Sequence, residues 1–524
     1  MKILSPERMA QYDAYAIKAW GIPSAVLMEN AGRSAYRLMR EKYLNGKKHI
    51  FIVCGRGNNG GDGFVIARYA LADGFHTRVC LTCKSEDLRG DAALNMRLYE
   101  SLGGVIIESS AYVKTVKEEL KDADIFIDAI FGTGLSKPVE GMEKILIEAM
   151  NMSGKPVIAV DIPSGIDGKT GVPLGTAVNA VHTYTFGYPK LGQVLYPGAE
   201  HRGRLTVIDI SIPAFIENKL GIDGHVTDGD MLRGILKPRS SSSHKGTYGH
   251  VAVIAGSIGK TGAASMTSLA ALKIGAGLVT LLTPASLNAI MEMKLTEVMT
   301  YPVEDQGKGY FTLPSYKKIV DFVEDKDVIV IGPGLSQESE TMEIVRKLLL
   351  DVKKPFIIDA DGINAFKGHL NILKKTKNEV VLTPHPGEIA RITGMTPQDV
   401  NADRMGIGKK FTEAYKVNLL LKGAPSILFT TDNEVFINPT GNPALAKGGS
   451  GDILTGFIGG LVAQGHTIAQ SALTGAYLHG YIADRWAESS TDMDLLAGDL
   501  LQGLGQAIKE LKNGEERIYI EESL

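Results

Sequence analysis

Lys447-Gly448-Gly449-Ser450-Gly451-Asp452-Ile453-Leu454-Thr455 reads as a glycine-rich turn running into a helix. Apolar residues then recur at helical spacing, at Ile453, Leu454, Phe457, Ile458, Leu461 and Val462. Such a helix start has unpaired backbone N–H groups and a partial positive charge, which suits an anion. Glycines let a phosphate approach the backbone closely. Asp452 is out of place in a pure phosphate cradle, because it sets a negative charge beside the anion. A carboxylate there makes sense as a base for a hydroxyl being phosphorylated. It also makes sense as a helix cap, since Asp is a favoured capping residue and Gly-Ser-Gly is ordinary loop chemistry. The segment alone leaves both readings open.

Upstream of it, short apolar runs at 250–255, 278–282, 328–331, 356–358, 380–382 and 419–421 read as strands with helices between them. The loop at 256–264 carries Gly259-Lys260-Thr261 but is no P-loop, because no glycine stands five residues before Gly259. His385 lies between Pro384 and Pro386, directly after a strand end, which favours a ligand role. Asp359 and Asp361 are candidates for outer-sphere partners of Mg²⁺, or simply for a strand-end turn. Helices are expected at 467–486 and 495–511, and an edge strand at 517–520.

The first half is also α/β. Helices are expected at 5–20 and 25–43. The strand 49–54 enters Asn58-Asn59-Gly60-Gly61-Asp62-Gly63, with a helix expected from about Phe64. A strand, a glycine loop and a helix in succession form the architecture of nucleotide-phosphate sites, although the glycine spacing is not a dinucleotide fingerprint. The strand 125–130 ends in Phe131-Gly132-Thr133-Gly134-Leu135-Ser136-Lys137-Pro138, and the strand 156–160 in Asp161-Ile162-Pro163-Ser164-Gly165. In a parallel sheet such strand ends share one edge, where ligands bind. Asn58, Asn59, Asp62, Asp128, Lys137, Asp161 and Ser164 can therefore converge. Residues 217–224 read as a linker.

At 524 residues the chain is too long for one ordinary core, which predicts two or three domains. Its 44% hydrophobic and 22% charged content is that of a soluble globular protein. The formal net charge is −3 with no basic stripe, so nucleic acid is not expected as a partner. No signal-peptide core and no long apolar run stand out, which predicts a cytoplasmic chain without a membrane span. Cys54, Cys80 and Cys83 are too few for a four-thiolate zinc site and read as structural thiols.

Gly-Ser-Gly-Asp, together with His244-Lys245-Gly246, Gly332-Pro333-Gly334-Leu335, Thr383-Pro384-His385-Pro386-Gly387-Glu388 and Leu421-Lys422-Gly423, resembles the ribokinase-like NAD(P)H-hydrate dehydratases over some 280 residues. Asn-Asn-Gly-Gly-Asp, Phe-Gly-Thr-Gly-Leu and Asp-Ile-Pro-Ser-Gly resemble the three signature loops of NAD(P)H-hydrate epimerases. The resemblance implies a Rossmann-like three-layer domain over 1–220 and a ribokinase-like α/β domain over 225–512. It implies a bifunctional enzyme, an isomerase and a lyase. The first half would interconvert the R and S hydrates of NADH and NADPH, and the second would dehydrate the S form with ADP or ATP, releasing phosphate.

By the same resemblance, Asn58, Asn59, Gly60, Gly61 and Asp62, then Gly132, Thr133, Gly134, Leu135, Ser136, Lys137 and Pro138, then Asp161 bind the epimerase substrate. Asn59, Asp128 and Ser164 hold K⁺. Asp161 is the expected proton-transfer group there. Ala263, Gly334, His385 and Asp452 contact the hydrate in the second half, with Asp452 as base. Lys422, Gly423, Ala424, Pro425, Ser426 and Gly451 contact ADP, and Mg²⁺ bridges the phosphates. A homo-oligomer is expected. The alternative is a small-molecule alcohol kinase with an N-terminal nucleotide-binding module.

Overall fold

A computed structural model describes residues 1–109 and 113–523. The chain divides into two compact units, one of Lys2–Gly224 with Ile518–Leu524 and one of Met1 with His225–Arg517. Both are α/β. Among the described residues no helix is long and apolar enough to cross a membrane.

The N-terminal unit contains β1 (Lys2–Ile3), β2 (His49–Cys54), β3 (His76–Leu81), β4 (Val105–Glu108), β5 (Ile125–Ala129), β6 (Val157–Val160), β7 (His182–Phe186) and β8 (Arg204–Ile208). Its sheet runs β8-β7-β6-β5-β2-β3-β4 with every neighbour parallel. Strands buried on both faces read as continuous apolar runs, which is why 49–54 and 125–129 were plain in the sequence. Alternate residues of β2 feed two cores. Ile50, Ile52 and Cys54 pack with the helices Ser24–Lys42 and Asn58–Ala72, while Phe51 and Val53 pack on the other face with Leu146 and Met150. The result is a three-layer, Rossmann-like unit.

Three expectations are corrected here. The glycine run 58–63 is not a loop before the helix; it is the first turn and a half of the helix Asn58–Ala72. Its glycines serve packing. A Cβ on Gly60 would lie 1.9 Å from the Gly55 carbonyl oxygen, and one on Gly63 would lie 2.7 Å from Cys54 Sγ. The expected linker 217–224 is folded: Glu217–Leu220 is a short helix, and Ile216, Leu220 and Ile222 pack with Met9, Tyr12 and Ala16 of the helix Pro6–Lys18. The strand expected at 517–520 lies at Glu521–Ser523 (β19), paired parallel to β8 with Glu521 opposite Thr206.

The C-terminal unit contains β9 (Gly224–Val226), β10 (His250–Ile254), β11 (Leu278–Pro284), β12 (Met299–Val303), β13 (Val328–Ile331), β14 (Phe356–Ile358), β15 (Val380–Leu382), β16 (Asn418–Leu421), β17 (Ile427–Phe429) and β18 (Val435–Ile437). They run in the order β9-β18-β17-β16-β15-β14-β13-β10-β11-β12. The strands from β16 through β12 are parallel, and β17 is antiparallel to both its neighbours. The chain leaves β10 toward β11 and later returns on its other side as β13. That switch of direction opens a crevice at the carboxyl ends of the two strands. Helix Ser450–Ala463 packs over the sheet, and Gly459 sits where any Cβ would lie 2.3 Å from Val330 Cγ2.

Candidate active sites

In the C-terminal unit Asp359 and Lys422, which follow β14 and β16, meet the helix start quoted above. Gly449 takes φ 95° and is the N-cap of Ser450–Ala463, so Asp452 lies inside the first turn and makes no capping hydrogen bond. This removes the helix-cap reading of Asp452. The turn is buttressed from the helix Ile468–Ser489, whose His479 donates from Nε2 to the Ser450 carbonyl oxygen at 2.9 Å. Burial brings that imidazole down to about 4, so it is a neutral, fixed donor.

Asp359, the first residue after β14, is buried and accepts from Lys422 Nζ at 2.8 Å and from Thr455 Oγ1 at 2.7 Å. Lys422 follows β16, and its ammonium lies 3.3 Å from where a Cβ on Gly451 would stand. Burial would lower Lys422, but Asp359, Glu388 and Asp452 outweigh it and hold the ammonium above its ordinary value. Burial, and then the Asp359 carboxylate, push Asp452 up to about 7, with Lys422 pulling the other way. A carboxyl poised near neutrality at a helix start is suited to taking a proton from a neutral hydroxyl.

Beside it is a cavity of about 540 Å³, lined by Lys260, Ala263, Gly334, Asp361, Glu388 and Gly449 among others. Ala263 and Gly334 thus line the same cavity. Asp361 accepts from Lys260 Nζ at 2.8 Å, Gln337 Nε2 at 3.0 Å and the Ser336 N–H at 3.1 Å. His385 is not in the lining. It caps the helix Pro386–Thr393, its Nδ1 accepting from the Gly387 N–H at 3.0 Å while Glu388 accepts from the His385 N–H. The loop 422–426 carries Gly423 at φ 147° over a guanidinium absent from the sequence reading. Arg404 donates from Nη2 to the Leu421 and Lys422 carbonyl oxygens at 3.1 and 3.2 Å, and its buried Nε has no partner among the described residues.

In the N-terminal unit the carboxyl ends of β2, β5, β6 and β7 surround a cavity of about 880 Å³. Asn58, Asn59, Asp62, Gly132, Thr133, Gly134, Leu135, Ser136, Lys137 and Asp161 all line it, so most of the sequence candidates converge. Asp161 is held at φ 64°, a backbone state that side-chain-bearing residues rarely adopt. Its surroundings over-determine it: Gln193 Nε2 donates to its carbonyl oxygen at 2.6 Å and Lys190 Nζ to its Oδ1 at 2.5 Å. Lys190 is 1% exposed and spends its other protons on Thr185 Oγ1 and the Phe186 carbonyl, each at 2.9 Å. Asp161 Oδ2 faces the other way, 3.8 Å from where a Cβ on Gly132 would stand. Lys190 went unnoticed in the sequence because β7, His182-Thr-Tyr-Thr-Phe, is half polar and does not announce a buried strand. Its position after that strand is the signal that was available.

Asp128 and Ser164 are joined directly, Ser164 Oγ donating to Asp128 Oδ1 at 2.6 Å and the Ser164 N–H to Oδ2 at 2.8 Å. Burial pushes Asp128 up to about 6 against these hydrogen bonds. Asn59 is 7% exposed, and both side-chain amide atoms lack a partner among the described residues. Cys54 and Cys80 are buried free thiols, and Cys83 is half-buried and free.

The chain is similar to known proteins along its length. Residues 251–504 match the family described as NAD(P)H-hydrate dehydratase, and residues 24–192 the family described as YjeF-related protein N-terminus. The chain is similar to the bifunctional NAD(P)H-hydrate repair enzyme of Moorella thermoacetica, with 39% identity over 99% of this chain and 98% of that one. It is similar to the Escherichia coli enzyme of the same description, with 33% identity over 93% and 90% of the two chains. It also resembles the Bacillus subtilis ADP/ATP-dependent NAD(P)H-hydrate dehydratase co-crystallised with ATP and Mg²⁺. That match has 31% identity over 55% of this chain and 99% of that one, with a TM-score of 0.49. The chain belongs to the bifunctional NAD(P)H-hydrate repair enzymes.

Proposed function

We propose that the N-terminal unit interconverts the R and S hydrates of NADH and NADPH. The C-terminal unit dehydrates the S hydrate with ADP, giving AMP and phosphate. The observation that carries this reading is Asp452, poised near neutrality beside the Lys422–Asp359 pair at a glycine-rich helix start. Asp452 takes the proton of the ring hydroxyl, whose oxygen attacks the terminal phosphoryl of ADP. Backbone N–H groups of residues 449–451 face the transferred charge, and positioning with electrostatics does most of the work in such a transfer. The ring-nitrogen lone pair then expels phosphate, and loss of a proton from the neighbouring carbon restores the dihydronicotinamide.

The hydrate is placed against Ala263, Gly334, His385 and Asp452, and ADP against residues 422–426 and Gly451. Mg²⁺, when bound with the nucleotide, neutralises phosphate charge. Among the described residues no cluster of three acidic, His or Cys side chains could hold a metal. Asp359 and Asp361 each already carry a lysine ammonium. The donor set therefore fits a metal that arrives on phosphates and keeps much of its water. K⁺ would be held by the unpartnered Asn59 amide oxygen, Asp128 and Ser164, a set of one carboxylate and neutral oxygens that suits a weakly hydrated cation. There it would favour the ionised form of Asp128 and order the loop that starts at Phe131.

The deciding experiment incubates the chain with ADP and a mixture of R and S hydrates. Both hydrates should be consumed, with AMP and free phosphate formed in step. A stable phosphorylated product would instead make the C-terminal unit an alcohol kinase. Lys422→Ala tests the nucleotide loop. Losing a charge-assisted contact of roughly 1.5–3 kcal/mol should weaken ADP binding about 10- to 100-fold and leave hydrate binding within a few-fold. Separate calorimetric titrations measure the two, and an unchanged ADP affinity rejects the assignment.

A further inference from the structure

The helix Pro6–Lys18 turns one stripe toward the N-terminal cavity. Met9, Asp13 and Ile17 recur every four residues, and all three line the cavity. The stripe is apolar except for Asp13. No capping, salt-bridge or hydrogen-bond duty explains this carboxyl, since it makes no such contact among the described residues. The wall it joins carries the carboxyls of Asp62 and Asp161 and the ammonium of Lys190. That buried ammonium is committed to Asp161 Oδ1. The wall also presents Asn59, buried and without a partner among the described residues, so the cavity is built to receive polar groups of a ligand.

We infer that Asp13 is the second proton-transfer group of this cavity, the acid that works in tandem with Asp161 as base. This rests on the epimerase reading above. Epimerisation inverts a carbon that bears both a hydroxyl and the ring nitrogen, and it needs a proton removed from one and delivered to the other. The Asp161 carboxylate takes the hydroxyl proton. The oxygen's electron pair forms the C=O bond, the carbon–nitrogen bond breaks with its pair passing to nitrogen, and nitrogen takes the proton of the Asp13 carboxyl. The product is a ring-opened aldehyde, with Asp161 now protonated and Asp13 ionised. Rotation about the adjoining carbon–carbon bond presents the other face of the aldehyde. Nitrogen re-forms the bond to carbon and returns its proton to Asp13, and the oxygen takes back the proton held by Asp161. No other reactant is consumed.

The surroundings of Asp13 suit a carboxyl that donates a proton. Burial first, and then the Asp161 charge, push Asp13 up to about 6 against the pull of Lys190. Burial, Asp161 and Asp13 likewise push Asp62 well above the carboxylate range.

The test uses the full-length chain with mixed R and S NADH hydrates, the epimers being separated chromatographically. Asp13→Asn should lower kcat for epimerisation about 100-fold or more with KM within about threefold. Asp13→Glu, which keeps the carboxyl, should recover at least a tenfold share of that loss. Dehydration of pure S hydrate by the same preparations should be unchanged. Should Asp13→Asn lose its thermal unfolding transition, Asp13→Ala removes the carboxyl without added bulk and is read in the same way. Epimerisation by a folded variant at a rate within threefold of the unmodified chain, or a change confined to KM, overturns the inference. Uptake of one solvent oxygen per turnover in ¹⁸O water overturns ring opening as written, and retention supports it. An unmodified chain that does not accelerate epimerisation overturns the epimerase reading and this inference with it.

Discussion

Asp452→Asn is expected to lower dehydration of the S hydrate about 10²- to 10⁴-fold while ADP still binds. The amide keeps the volume of the carboxyl and cannot accept the hydroxyl proton. Since Asp452 makes no capping hydrogen bond, its loss should not fray the helix Ser450–Ala463. Thermal unfolding of the variant should therefore match the unmodified chain, and a normal turnover would remove Asp452 as base. The pH profile gives an independent check. A general base works only when deprotonated, so kcat/KM should rise as pH climbs through about 7, where burial and Asp359 place this group. Asp359→Asn removes a like charge and also frees the Lys422 ammonium from its partner. Both changes favour ionised Asp452, so the midpoint should move to lower pH. An unmoved midpoint would mean that the titrating group lies elsewhere.

The two α/β units could be read from the sequence because parallel strands buried on both faces leave continuous β-branched and aromatic runs, such as Ile50-Phe51-Ile52-Val53 and Val328-Ile329-Val330-Ile331. The candidate site residues Asn59, Asp161, Gly334 and Asp452 are legible in the sequence because they stand in the polar, glycine-bearing stretches around the carboxyl ends of such strands. Hidden from the sequence was whatever depends on a partner distant in the chain. The glycines of 60–63 look like a loop by composition, yet they lie in a helix packed so closely on Gly55 and Cys54 that a Cβ has no room. The residues 217–224 look like a linker by their charge and glycine, yet Ile216, Leu220 and Ile222 have an apolar neighbour in the first helix.

The same holds for individual side chains. His385, which prolines fix at a strand end, also caps a helix, its Nδ1 accepting from the Gly387 N–H, a duty that only the fold makes visible. Lys190, Asp13 and Arg404 belong to no glycine-rich motif, so spacing could not find them. They become visible only when the fold brings a buried ammonium to Asp161, a stripe of one helix to the same cavity and a guanidinium under residues 421–423.

The division of labour between the units gives the second large effect. Asp161→Asn should abolish catalysed epimerisation and spare dehydration of pure S hydrate, because the two sites are built from different residues in different units. Asn is the better substitution than Ala. It leaves an acceptor for the buried Lys190 ammonium, whereas Ala strands a cation that is 1% exposed and destabilises the unit. Given ADP and a mixture of epimers, the variant should consume the S fraction at the normal rate. It should then slow to the rate at which R converts spontaneously, so that the time course has two phases and R accumulates in relative terms. The unmodified chain should show one phase, with R and S falling together. The amplitude of the fast phase must equal the starting S fraction, which chromatography of the zero-time sample fixes independently. If the variant instead consumes both epimers in a single phase at the unmodified rate, Asp161 has no part in epimerisation. The Lys190–Asp161 pair would then serve only to hold the strained backbone at the end of β6.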